Sequence, residues 1–118
     1  MIPLLALAQD VQDFMESRNW RFCIIGGIAF EDSAIQRATY HSYSPDISLK
    51  TCSAEDLIVF KTFANRTKDW ADVESVVTRQ SDLEWKYIFE QLKPLADLKD
   101  APEIVDRLEA VKKKFYRP

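Results

Sequence analysis

Apolar residues recur along this chain at two spacings. Over residues 3–18, Leu4, Leu7, Ala8, Val11, Phe14 and Met15 fall on one face of a 3.6-residue turn. That spacing predicts an amphipathic helix with this face inward. "FCIIG" (22–26) is a short, continuously apolar run with a β-branched pair, and it reads as a buried strand ended by two glycines. Residues 31–40 are ambiguous and admit a short helix. In "SPDISLKT" (44–51), Ile47 and Leu49 alternate with polar neighbours, which predicts a second strand.

From residue 53 the spacing turns helical, and each segment opens on a cap signal. "SAED" offers Ser53 and Asp56 as a capping box ahead of Leu57, Phe60, Phe63 and Ala64. "DWAD" opens a helix with Trp70, Val73, Val76 and Val77 inward. "SDLE" repeats the box at Ser81 and Glu84 before Trp85, Ile88, Phe89 and Leu92, and Pro94 is placed to end or kink that helix. "DAPE" offers Asp100 as a cap with Pro102 in the first turn, ahead of the stripe Ile104, Leu108, Val111 and Phe115. The expected class is α+β: an N-terminal helix, a small sheet of about two strands and a C-terminal four-helix block. One domain is expected over 1–118, with 1–52 carrying the sheet and 53–118 the helices.

Composition changes this picture little. The chain has 118 residues and a net charge of −3, with 47% apolar residues, in the range of a globular chain able to bury a core. The acidic balance lacks the basic footprint of a nucleic-acid binder, so nucleic acid is not an expected partner. No apolar run approaches the roughly 18 residues of a membrane span. "MIPLLALAQD" lacks a basic lead-in and reads as a helix rather than a signal peptide. Cys23 and Cys52 have no C-x-x-C partners, which favours neither a disulfide framework nor a zinc site and suits a reducing cytoplasm. The single histidine, His41, falls in a polar, expected loop with no orienting partner.

Two stretches carry candidate chemistry. Gly26-Gly27 follows a buried strand, where glycine lets backbone amides approach a phosphate; on spacing alone a tight strand exit is the favoured reading of the pair. In "EDLIVFKTFANRTKDWADVE" (55–74), Lys61, Arg66 and Lys68 precede Asp69 and Asp72. Cations at one helix end followed by acids at the next helix start read as a salt-bridged helical hairpin. The other reading has Lys61 reaching from the core edge toward a triphosphate. The basic end "VKKKFYRP" reads as solvated lysines matched to a helix C-terminus.

These stretches together resemble a known family. "WRFCIIGGIA" is similar to the first helix-strand-GG motif of the polymerase-beta-like nucleotidyltransferase superfamily. "TCSAEDLIVFKTFANRTKDWADVESVVTRQ" resembles the downstream helical motif of its AbiEii/AbiGii toxin-like branch, with Lys61, Ala64, Arg66, Lys68, Asp69 and Asp72 at matching positions. The resemblance implies that Gly26, Gly27 and Lys61 descend from a nucleotide-binding site, supported by Arg66, Asp69 and Asp72. It implies Mg²⁺ and a nucleoside triphosphate as the family's cofactor and substrate.

The departure lies between the two motifs. The family follows its glycines with a D-x-D strand whose carboxylates hold Mg²⁺, and this sequence contains no D-x-D. The nearest candidate, Asp46-Ile47-Ser48, begins 19 positions after Gly27 and lacks the second acid. "FEDSAIQRATYHSYSPDISLKTCSAEDL" resembles the connection into the downstream helix, so the chain reads as internally deleted after Ala29. No residue is therefore assigned a catalytic or metal-binding role, and no cofactor is expected.

Two functions follow as expectations. One is an inactive nucleotidyltransferase-like protein with residual nucleotide binding at Gly26, Gly27 and Lys61. The other is a non-enzymatic oligomerisation or interaction module. A strand at 22–26 short of neighbours must pair with 45–50 or with a second chain, so a homodimer is expected.

Overall fold

A computed structural model describes residues 3–19, 23–24, 28–29 and 32–118. They fall into two compact units, Met1–Ser53 and Ala54–Pro118. The class is α+β, with an N-terminal helix, a small sheet and four C-terminal helices.

In the first unit, α1 (Pro3–Ser17) is followed by β1 (Cys23–Ile24), β2 (Ile28–Ala29), α2 (Asp32–Arg37), β3 (Thr39–Ser44) and β4 (Ile47–Thr51). The sheet order is β2-β1-β4-β3. Its main ladder is the antiparallel hairpin β3–β4, with a register shift between Ser42 and Ser44. β1 pairs with β2 antiparallel and meets β4 in parallel at Ile24 and Thr51. Of the run 22–26, the described Ile24 pairs within the chain at Thr51, one residue past the expected 45–50. β3 lies in a stretch where the sequence suggested loop, so His41 is a strand residue, exposed, with Nε2 3.0 Å from Thr39 Oγ1. Ile47 and Leu49 point inward and Ser48 outward, as alternation predicts.

The face of α1 is rotated from the expected one, with Met15 inward as expected but much of the rest of the stripe outward. Leu7, Val11 and Phe14 are 60%, 37% and 49% exposed, whereas Met15 and the polar Gln12 are buried, Gln12 at 1%. The reason is hydrogen bonding. Successive residues of a strand direct their N–H and C=O groups to opposite edges, and among the described residues β1 meets the edge of β4 facing away from β3 only at Thr51, leaving Ser48 and Lys50 to α1. Gln12 Nε2 donates to the Ser48 carbonyl at 2.7 Å, and Gln12 Oε1 accepts the Lys50 N–H at 2.7 Å. Gln9 Oε1 accepts the Ser48 N–H at 2.9 Å. Two side-chain amides thus stand where a neighbouring strand would, and they turn α1 so that its apolar stripe faces water. Tyr40 of β3 also donates to Glu16 of α1 at 2.8 Å, and this bond to a carboxylate pushes the phenol pKa up.

The second unit comprises α3 (Ala54–Ala64), α4 (Thr67–Arg79), α5 (Trp85–Leu98) and α6 (Glu103–Phe115). Its core unites Ile58 and Val59 with Trp70, Val73, Val77, Leu83, Trp85, Ile88, Leu92, Ile104, Leu108 and Val111. The inward faces of α4, α5 and α6 are those the spacing predicts. That of α3 is rotated: Asp56, Ile58, Val59 and Thr62 are buried, while Leu57, Phe60 and Phe63 are only half-buried. Thr62 satisfies its buried hydroxyl on the Ile58 and Val59 carbonyls.

Helix ends differ from the cap signals in two places. Ser81 lies in a bend before α5, and Glu84 stands at that helix's N-cap with no side-chain cap bond. Asp100 is no N-cap for α6 but the left-handed residue that ends α5, with φ 56°. Its N–H donates to Asp97 and that of Ala101 reaches back to the Ala96 carbonyl, the paired bonds of a Schellman turn. Asn19 (φ 57°) and Asn65 (φ 59°) close α1 and α3 in the same conformation. Short polar side chains tolerate this region better than others, so the chain turns at these places without glycine. Pro94 sits inside α5, which continues to Leu98.

Two outcomes follow. Gln12→Leu, which leaves the Ser48 carbonyl and Lys50 N–H unmatched, should destabilise the chain by about 2 kcal/mol. Urea denaturation measures the loss, and hydrogen exchange should show faster exchange at the Lys50 amide. Asp100→Gly should stabilise by roughly 0.5 kcal/mol by relieving the left-handed strain, read as a higher urea midpoint.

Candidate functional site

The junction between α3 and α4 gathers four of the six residues singled out by sequence. α3 ends in a left-handed Asn65, whose N–H donates to the Lys61 carbonyl at 3.2 Å. This turn places Arg66 at the N-cap of α4 and Asp69 in its first turn. An acid there meets the positive end of the helix dipole and accepts the free N–H of the cap residue. The Arg66 N–H donates to Asp69 Oδ2 at 3.3 Å. The Asn65 side chain fixes the turn from the other side, accepting the Trp70 indole N–H at 2.8 Å. Trp70 is buried, with the Arg107 guanidinium 4.4 Å from its ring centroid.

Asp69 is fully buried. Arg66 Nε donates to its Oδ2 at 2.6 Å and Arg66 Nη2 to its Oδ1 at 3.1 Å, a fork that matches a carboxylate. Lys61 Nζ lies 3.6 Å from Asp69 Oδ1 and donates to Asp72 Oδ2 at 2.9 Å. Two cations therefore face two carboxylates. The hydrogen bonds from Arg66 hold the Asp69 carboxyl below the usual carboxylate range, against the opposing effect of burial. The Asp72 bond, aided by the nearby Asp69 charge, holds the Lys61 ammonium above its ordinary value.

Of the other sequence candidates, Gly26 and Gly27 lie outside the described residues, as does the Cys23 side chain. Asp46 sits in the exposed β3–β4 turn, its N–H 3.3 Å from Ser44 Oγ. Among the described residues, no three His, Cys, Asp or Glu side chains gather as a metal cage. The described acids of the junction do not fit the family's Mg²⁺ site, because Asp69 and Asp72 have their oxygens turned to Arg66 and Lys61. No family model, curated protein or solved structure matches the chain. None of the described helices is long and apolar enough to cross a membrane.

Asp56 was read as a cap partner for Ser53. It is buried and accepts the Tyr87 hydroxyl of α5 at 2.5 Å. No sequence signal points to that pair, since its members lie 31 positions apart.

The Asp69 network makes stability depend on pH. A carboxyl held low when folded contributes fully above its unfolded value, near ~4, and loses that contribution as pH falls through the folded value. The urea midpoint should therefore drop on acidification below about pH 4. Asp69→Asn should lower the midpoint at neutral pH and flatten that acid limb.

Proposed function

We propose that this chain is a non-catalytic interaction protein on a nucleotidyltransferase-like scaffold, and that it self-associates through α1. The observation that carries this reading is the outward stripe Leu7, Val11 and Phe14, held toward solvent by the burial of Gln12. An apolar stripe maintained in water by specific bonds on the opposite face supports burial against a second copy, with Arg18 already stacked on the Phe14 ring at 4.8 Å. The stripe is bordered by Asp10, Asp13 and Glu16. Two copies facing each other would bring these acids together, so association strengthens as salt screens them.

The alternative, residual nucleotide binding through Lys61, is less well supported. A triphosphate would have to draw that ammonium away from Asp72 and Asp69, whose charges already balance those of Lys61 and Arg66. An efficient transfer reaction also requires converging metal-binding carboxylates, and the sequence has no D-x-D.

Light scattering of the full chain at micromolar concentration should show a dimer whose population rises with ionic strength. Leu7→Asp should give a monomer with unchanged circular dichroism. A wild-type monomer at all salt concentrations overturns the reading. Calorimetry with the four common ribonucleoside triphosphates and Mg²⁺ should show no saturable binding. Saturable binding that Lys61→Ala removes from a folded protein would favour the nucleotide alternative, and Mg²⁺-dependent transfer abolished by Asp46→Ala would restore an enzyme.

A further inference from the structure

A second feature of the helical unit lies apart from the α3–α4 junction. Residues of α5, α6 and the segment just after α6 line an open pocket of about 600 Å³: Phe89, Glu109, Lys112, Lys113 and Tyr116. This is within the range of small-molecule sites, ~300–1,000 Å³. The lining is an aromatic wall beside two ammonium groups and one carboxylate.

Trp85 adjoins this lining. Its ring stacks on Phe89 with centroids 5.9 Å apart and meets Tyr116 edge-on at 5.3 Å. Lys112 Nζ lies 5.2 Å from its ring centroid. Tyr116 is anchored in turn by its hydroxyl, which donates to the Ser81 carbonyl at 2.9 Å. Trp85 is 8% exposed, and its buried indole N–H has no acceptor among the described residues. The contrast with Trp70, whose indole is bonded to Asn65, is sharp.

We propose that this pocket binds a small aromatic monocarboxylate. The ligand's ring packs on Phe89 and Tyr116, and its carboxylate meets the Lys112 and Lys113 ammoniums. Charge sets the choice of a monoanion. Two lysines and Glu109 leave one net positive charge, and Glu109 opposes a second negative charge on the ligand. The site thus differs in ligand class from any triphosphate site. It also shares no residue with the α1 stripe, so it stands or falls separately from self-association.

The test is a titration of the full ¹⁵N-labelled chain with 2-naphthoate, following the sequence-specifically assigned indole N–H signals. The Trp85 signal should move saturably while that of Trp70 stays in place. The neutral 2-naphthamide, and naphthoate with a Lys112→Ala/Lys113→Ala variant, should each bind about tenfold more weakly. Naphthyl phosphate in its dianionic form should bind more weakly than naphthoate. Both lysines are on the pocket rim, and an unchanged spectrum elsewhere verifies that the variant is folded. No movement of Trp85 at millimolar naphthoate, equal binding of the amide, or full binding by the double variant overturns the proposal.

Discussion

A strand inside a sheet must have hydrogen-bond partners along both edges, and among the described residues β4 has a full-length strand on only one of them. Much of the first unit follows from how this deficit is met. Among the described residues β1 reaches β4 at Thr51, and the Ser48 and Lys50 backbone groups turn to α1. Satisfying them draws a glutamine into the interior and turns hydrophobic side chains outward. Here backbone pairing outweighs the ordinary preference for burying the most apolar face. An unmatched buried amide or carbonyl costs about 1–3 kcal/mol, comparable to the burial of one aliphatic side chain, roughly 1.5–3 kcal/mol.

The helical unit meets the same demand at its turns. The α3–α4 junction satisfies a helix start, a helix end and a buried carboxylate with one short segment, Asn65 to Asp69. Arg66 serves by both its backbone and its guanidinium. Removing Arg66 or Asn65 takes the partner from a buried group, the Asp69 carboxylate or the Trp70 indole N–H, so the junction is more than a sum of surface ion pairs.

The helical half was the more legible in sequence. Stripes such as Ile104-Leu108-Val111 each require only that one face be buried, and local spacing suffices to reveal that. The acids and bases at 61–72 were visible as a group, but whether they point outward to a ligand or into one another depends on the Asn65 turn. Asp100 was misread because Asp before Pro-Glu is a start signal, while its role here is to end the preceding helix. The α1 face was misread for a deeper reason. Helical spacing identifies the apolar side without indicating that β4, more than 30 residues on, would recruit the polar one. Tyr87 with Asp56, and the grouping of Trp85, Phe89 and Tyr116, are likewise products of tertiary packing.

The bidentate role of Gln12 also narrows the chemical alphabet at that position. One group must donate to a carbonyl while its neighbouring atom accepts from an amide two residues further along the strand. A carboxylate cannot donate, an ammonium cannot accept, and a hydroxyl offers a single atom for both tasks. Asparagine has the right group on a stem one methylene shorter. Position 12 therefore behaves as a fragment of peptide backbone carried on a side chain, and glutamine is the residue whose end most nearly is one.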